Sequence, residues 1–358
     1  MDDSMNSSYI IKNGLRKVVP YYDINSTRAK GHWFGRKVID LLSGEFRTRG
    51  LDYYLQQIDK GFVTVNRKGT LITGRAVTHL QLQGHDILST KSHLHEAPVV
   101  YQESIPVIYQ DEKIIVINKP SSIPTHPTGR YVKNSITELL KLQENLTSLY
   151  PCYRLDRLTS GVLILSKDSK TSGEIHDKVR EKGVVKHYVA RVTGKFPDNV
   201  ICDRDVFHVD PKKTYEFGKG VKKEALTVFE RLKYNEELNE SIVLCKPQTG
   251  RTHQIRIHLN FLKHPIINDP LYGPNGSKIR SKIINSDEVS PEDYEILRKE
   301  YKQDFQKLIY ESTCDECGYI SYKDESAENM IMWLHALKYG TKDGEWSFET
   351  ELPSWAEI

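Results

Sequence analysis

A charged cluster with an apolar run directly behind it constrains this chain more than any other feature. Tyr153-Arg154-Leu155-Asp156-Arg157-Leu158-Thr159-Ser160-Gly161 places one carboxylate between two arginines, and a glycine turn leads into Val162-Leu163-Ile164-Leu165. The apolar run reads as a strand, which puts the charges at its rim. The adjacent cations favour the ionised form of Asp156. Such a carboxylate can be a nucleophile or one half of a structural ion pair, and spacing alone leaves both open.

With 358 residues the chain is long enough for two or three domains, and 28% charged with 38% hydrophobic residues is a globular composition. The formal net charge is only +3, so nucleic-acid contact would have to rest on local clusters. Five cysteines without a close, even framework fit a reducing compartment. No apolar stretch approaches the length of a membrane span. Met1–Ser8 carries Asp2 and Asp3 and no arginine, unlike a secretory signal or a mitochondrial leader. The expected location is cytoplasm or nucleus rather than mitochondrion.

Residues 1–32 are polar and read as an irregular arm. Residues 33–95 read as a small module. Val38, Leu41, Leu42 and Phe46 recur at helical spacing, as do Leu51, Tyr54, Leu55 and Ile58. Phe62–Asn66 reads as a strand, Asn66-Arg67-Lys68-Gly69 as a turn, and Gly84–Ile87 as a second strand edge. Arg36, Arg47, Arg67 and Lys68 on this frame suit RNA binding, against the alternative of a solvated basic face. Residues 96–106 read as a linker. Beyond it, Lys113–Asn118, Val162–Ser166, Lys186–Val192, Ala225–Leu232 and Ile242–Cys245 read as strands. Ser135 with Glu138 forms a capping box for a helix over Ile136–Leu142. Residues 170–181 read as a helix, and Arg251–Lys263 as one with Ile255, Leu259 and Leu262 inward. The stretch of about 275–330 is charged and poor in apolar runs, so it reads as an insertion; Ser290-Pro291-Glu292-Asp293 starts a helix within it.

Three segments carry a resemblance. Tyr153–Gly161 runs into Val162–Asp168; Lys186-His187-Tyr188-Val189-Ala190 follows; then comes Gly250-Arg251-Thr252-His253-Gln254-Ile255-Arg256-Ile257-His258. In this order and spacing they resemble the RluA family of RNA pseudouridine synthases, with support from Asn118-Lys119-Pro120, from His264–Asp269 with Tyr272-Gly273, and from Leu334-His335-Ala336. The resemblance spans about residues 107–340, and residues 33–95 resemble the small RNA-binding domain that precedes many members. It implies an α+β catalytic domain over 107–358 with a mixed, mainly antiparallel sheet. It implies isomerisation of uridine to pseudouridine within RNA, without cofactor or metal. By resemblance, Asp156 is the essential aspartate, Tyr188 the tyrosine that stacks on the target base, and Arg251 the basic residue paired with the aspartate. From the residues alone, Tyr188 in an alternating strand is an ordinary packing residue and Arg251 an ordinary surface or phosphate contact.

One position departs from the family pattern: Tyr153 stands where histidine is usual before Arg-Leu-Asp. Tyrosine keeps a flat ring and loses the imidazole titration, which points to altered substrate handling. Lys119, His126, Arg130, Tyr153, Arg154, Arg157, Lys186, His253 and Arg256 are the expected RNA contacts of the catalytic domain. The flanking features are similar to fungal members acting at position 32 of the tRNA anticodon loop. Modification of ribosomal or messenger RNA, or a catalytically silent RNA chaperone, are the alternatives. The expected partner is RNA, tRNA foremost, with no DNA or membrane partner, and the chain is expected to be a monomer. Cys314-Asp-Glu-Cys317 is a single CxxC; a zinc site needs four ligands and the sequence offers no second CxxC or clear HxxxH pair, so no metal is expected.

Overall fold

The computed structural model describes residues 9–45, 50–286 and 288–358. Chain contacts divide it into two compact units. One takes Met1–Val18, Glu96–Cys314 and Gly318–Ile358; the other takes Val19–His95 with Asp315–Cys317.

The larger unit is built on one long sheet. Its strands run in the order Asn199–Cys202, Thr227–Asn235, Glu240–Pro247, Val184–Thr193, Leu334–Thr341, Ser160–Ser166, Ile114–Lys119 and Val107–Gln110. Pairing along it is antiparallel except where Ser160–Ser166 meets Leu334–Thr341, so the sheet is mixed and mainly antiparallel, as expected. The parallel contact is short, with Ser160 opposite His335 and Gly161 opposite Ala336. Gly161 makes it possible: its φ is +110°, and a Cβ there would lie 2.2 Å from the Ala336 carbonyl oxygen. Several apolar cores cover the sheet, two of them beside the site. One gathers Ile115, Ile117, Leu163 and Leu165 under the helix Ile136–Gln143; the other gathers Ala190, Phe229 and Val243 under the helix Gln254–Phe261. Ser135 precedes the first helix without capping it, since its hydroxyl donates back to the Val132 carbonyl instead (2.7 Å).

The stretch read as a linker is packed into this unit. Ala97, Val99 and Ile105 are core residues, and the Glu96 carboxylate accepts from the backbone N–H groups of Val132, Lys133 and Asn134. The irregular arm is also corrected. Tyr9–Lys12 and Leu15–Val18 form a hairpin whose second strand pairs with Val99–Val100. Its turn is Asn13-Gly14, with φ of 53° and 72°, the left-handed pair that favours a two-residue hairpin. In the insertion, Ser290 caps Pro291–Lys307 by accepting from the Asp293 N–H, and the hairpin Ile309–Thr313/Ile320–Tyr322 follows.

The smaller unit holds the helices Val38–Glu45 and Leu51–Asp59 against a four-stranded sheet ordered Tyr21–Arg28, Ile87–Leu94, Val63–Arg67, Thr70–Ile72. The two helices and the hairpin are those read from the sequence. Tyr21–Arg28 is additional: it lies on the sheet edge and is largely exposed, so it carries no alternating apolar signal. Phe46 and Arg47 lie outside the described residues. No helix among the described residues is long and apolar enough to cross a membrane.

Candidate active site

The strand Ser160–Ser166 begins where its preceding loop turns back, and that loop is held from below. Lys119, fully buried, donates from Nζ to the carbonyls of Pro120 (2.9 Å), Arg157 (3.1 Å) and Thr159 (2.8 Å). Ser121 donates to the Leu158 carbonyl, Thr125 bonds both backbone groups of Leu155, and the Thr159 N–H closes on the Asp156 carbonyl (3.0 Å). Lys119 is therefore a scaffold for the loop, not an RNA contact. Burial first, then the nearby Arg157, push its ammonium down to about 7, against the pull of Asp156.

The loop presents Asp156 to a cavity of about 690 Å³, within the usual range for a binding site. Tyr153, Tyr188, Lys186, Arg251, His253 and Tyr339 line it, with Arg154, Arg157 and Arg256. Asp156 is the sole carboxylate among the lining residues.

The expected ion pair is present with a different arginine. Arg256 donates from Nη1 to Asp156 Oδ2 at 3.0 Å, while Arg251 donates from Nε to the Glu224 carbonyl at 2.8 Å. Arg256 is 4% exposed, so it is not a surface contact for RNA phosphates either. The correction follows from where the helix starts. It begins at Gln254, so Arg251 lies in the turn before it, while Arg256 lies in the helix proper, where every residue from Gln254 to Leu259 is buried. His253 occupies the position before the helix in a left-handed conformation (φ 57°) without a side-chain cap bond, and Gln254 ties the turn by accepting from the Arg251 N–H and the Thr249 hydroxyl.

Arg256 forks onto a second carboxylate. Its Nε and Nη2 donate to Asp269 Oδ2 (2.6 Å) and Oδ1 (2.8 Å), and Oδ1 also accepts from the N–H groups of Leu271 and Tyr272. Asp269 thus fixes the guanidinium that Asp156 leans on. Burial alone would raise the Asp156 carboxyl, but charge from His253 and Arg256 and the Arg256 hydrogen bond bring it below its ordinary value. His253 Nε2 lies 3.7 Å from Asp156 Oδ2. Burial and the neighbouring guanidinium hold His253 down at about 4, so near neutral pH it is uncharged and Arg256 supplies the standing positive charge. Among the described residues nothing donates to Asp156 Oδ1, and the side chain is 33% exposed toward the cavity.

Tyr188 is aimed by a backbone irregularity. The strand Val184–Thr193 shifts register against Leu334–Thr341 between His187 and Tyr188, a bulge of the kind that redirects a side chain. The half-buried ring packs against both main cores. Burial, then the charge of Asp156, raise its hydroxyl, so it is a neutral phenol at physiological pH. Tyr153 lies flat on Tyr339 (centroids 4.1 Å, planes 7° apart), and its hydroxyl donates to the Val162 carbonyl (2.9 Å). The stack continues through Trp346 to Phe348. The tyrosine in the unusual position is therefore anchored at its polar end and offers the cavity apolar ring surface.

The remaining expected contacts divide. Arg154, Lys186 and His126 line the cavity; burial lowers Lys186 and, with Arg154, His126. Arg157 lines it too but lies over the Tyr131 ring and bonds the Ser122 carbonyl. Arg130 lies between the Tyr131 and Tyr322 rings, away from the cavity lining. In the smaller unit, Arg36 donates to Glu45 (2.6 Å) and Arg67 forks onto buried Asp86, so both are held by carboxylates. Lys68 is exposed at the hairpin turn. Asp269 and Tyr339 were not singled out by role in the sequence. The one available signal was that Asp269 lies in a segment shared with the family.

An RNA pseudouridylate synthase family profile matches residues 113–261. Among curated proteins, the chain is 38% identical to a Saccharomyces cerevisiae tRNA pseudouridine(31) synthase over 97% of this chain and 96% of that one. It is 36% identical to a mitochondrial tRNA pseudouridine(32) synthase of the same yeast, covering 97% of this chain and 78% of that one. The human pseudouridylate synthase RPUSD2 matches at 32% identity, over 98% and 75%. With a lone carboxylate in a cationic cavity and near full-length likeness to such enzymes, this chain belongs to the RluA-type RNA pseudouridine synthase family.

Proposed function

We propose that this enzyme isomerises a single uridine of tRNA, at one of the adjacent positions 31 and 32, with Asp156 as the residue that engages the nucleotide. The observation that carries the catalytic part is the half-saturated Asp156: charged, held through one oxygen by Arg256, and open to the cavity through the other. Breaking the glycosidic bond leaves negative charge on the base and positive character on the ribose. A fixed carboxylate stabilises or traps the sugar. The face of Tyr188 receives a base taken out of its stack, and replaces the stacking it lost. The ring faces of Tyr153 and Tyr339 widen that platform. Arg154, Lys186 and Arg251 hold the flanking phosphates, so binding weakens as salt rises. The uridine must be presented unpaired, because this chemistry cannot reach a base inside a stacked helix.

The tRNA assignment rests on the two yeast relatives named above, whose names carry positions 31 and 32. The test uses tRNA transcripts carrying uridine at position 31 alone, at 32 alone, or at neither, with pseudouridine mapped chemically after incubation. Product at one of the two supports the reading and fixes the position. Product only in ribosomal or messenger RNA overturns the tRNA assignment, and no product with any RNA overturns the catalytic reading.

A further inference from the structure

Two segments far apart in sequence bring four metal-type donors together. His93 and His95 lie two residues apart on an extended segment, at the end of the strand Ile87–Leu94 and just beyond it. Alternation along a strand puts both imidazoles on one face, and their ring centroids are 4.9 Å apart. Cys314 and Cys317 lie on the turn that joins Ile309–Thr313 to Ile320–Tyr322. That turn is closed by the Gly318 N–H on the Cys314 carbonyl (2.8 Å) and the Cys314 N–H on the Tyr319 carbonyl (2.6 Å), with Gly318 in a left-handed conformation (φ 64°). A CxxC on such a knuckle points both sulfurs the same way. His93, His95 and Cys317 belong to the smaller compact unit, and Cys314 directly precedes its Asp315. The four ligand atoms lie within 4.8 Å of one another, and Cys317 Sγ is 3.3 Å from His95 Nε2.

We propose that His93, His95, Cys314 and Cys317 form a structural zinc site. Tetrahedral zinc with bonds of about 2.0–2.3 Å has ligand–ligand edges of about 3.3–3.8 Å, a spacing the four donors reach with small side-chain rotations. Two thiolates and two neutral imidazoles cancel the charge of a divalent cation. Mixed sulfur and nitrogen donors favour zinc over magnesium or calcium, which take oxygen. The Glu316 carboxylate, 3.5 Å from His93 Nε2, adds to the negative potential there. Four protein ligands leave no open position, so the ion is structural and takes no part in the isomerisation. Neither cysteine is in a disulfide, as zinc ligation in a reducing compartment requires. The sequence left this CxxC without a partner pair because His-x-His on a strand is not a helical HxxxH; folding supplies the pair.

The test is metal analysis of the full-length protein, produced in zinc-supplemented medium and dialysed against metal-free buffer. About one zinc per chain is expected, falling at least about fivefold in Cys317→Ser and in His95→Asn. Because either variant could misfold, the unmodified protein is also exchanged with cobalt. Sulfur-to-cobalt charge-transfer absorption with tetrahedral d–d bands supports the site. Substoichiometric zinc with no such bands overturns it, as does a Cys314–Cys317 disulfide in protein kept under reducing conditions.

Discussion

Asp86 and Asp156 are both paired with an arginine, yet only one of them has anything left to give. Asp86, in the smaller unit, is 1% exposed. Arg67 fills both its oxygens, and the Gln83 N–H adds a third bond. Asp156, in the larger unit, receives one bond from an arginine whose fork is already committed to Asp269. Both carboxyls are held below their ordinary values. The difference is saturation. A saturated carboxylate is a structural anchor, whereas a half-saturated one is charged, aimed and still able to engage a substrate. The same logic sorts the cations: Arg36 and Arg67 are neutralised by carboxylates, while Arg154 is exposed at the cavity rim.

Changing Asp156 to Asn breaks the contrast most sharply. Pseudouridine formation should fall by ~10³-fold or more, with the thermal midpoint little changed, because the shape and one hydrogen-bond acceptor survive. Equal loss of folding would make Asp156 an anchor like Asp86. Next comes Arg256→Gln. It strands Asp269 in the core and should destabilise the protein by about 3–5 kcal/mol in denaturant titration, with the Asp156 carboxyl rising toward its ordinary value.

Lys119 gives a pH signature. Its folded pKa of about 7 lies below the ordinary value of about 10.4, so between these the unfolded chain binds the extra proton and stability rises with pH. Wild type should gain on Lys119→Met by up to ~1.4 kcal/mol per pH unit between pH 7 and 10. Parallel stability curves would show that the three carbonyls keep the ammonium charged. Asp86→Asn should cost about 1–3 kcal/mol while leaving the turnover of folded enzyme unchanged; a drop in turnover would give the small unit a part in the chemistry. The mildest change is Arg154→Gln, which should weaken RNA binding evenly across sequences and reduce the salt slope by about one, leaving stability within about 0.5 kcal/mol.

The strands and helices were legible wherever one face is buried. Leu51, Tyr54, Leu55 and Ile58 announce a helix, and Val162–Leu165 a core strand. Tyr21–Arg28 was not legible, because an exposed edge strand has no apolar period to read. The Asn13-Gly14 hairpin did carry its turn signal, which a polar reading of the terminus passed over. At the site, Asp156 and Tyr188 stood out by motif, and both line the cavity. The choice of Arg256 over Arg251 depended on a helix start three residues later than expected, which leaves Arg251 in the preceding turn and Arg256 in the buried helix. Lys119 looked like a solvent cation because a lysine solvated by three carbonyls and one solvated by water read alike in sequence.

The aromatic stack beside the cavity also serves as an optical device. Tyr339 lines the site and lies parallel to Trp346, with ring centroids 6.0 Å apart. A base stacking against Tyr153 or Tyr339, as proposed, would change the electronic surroundings of an indole one ring removed. In a chain whose other three tryptophans are replaced, the emission of Trp346 would then supply a label-free clock for substrate entry, timed independently of the bond-breaking that follows.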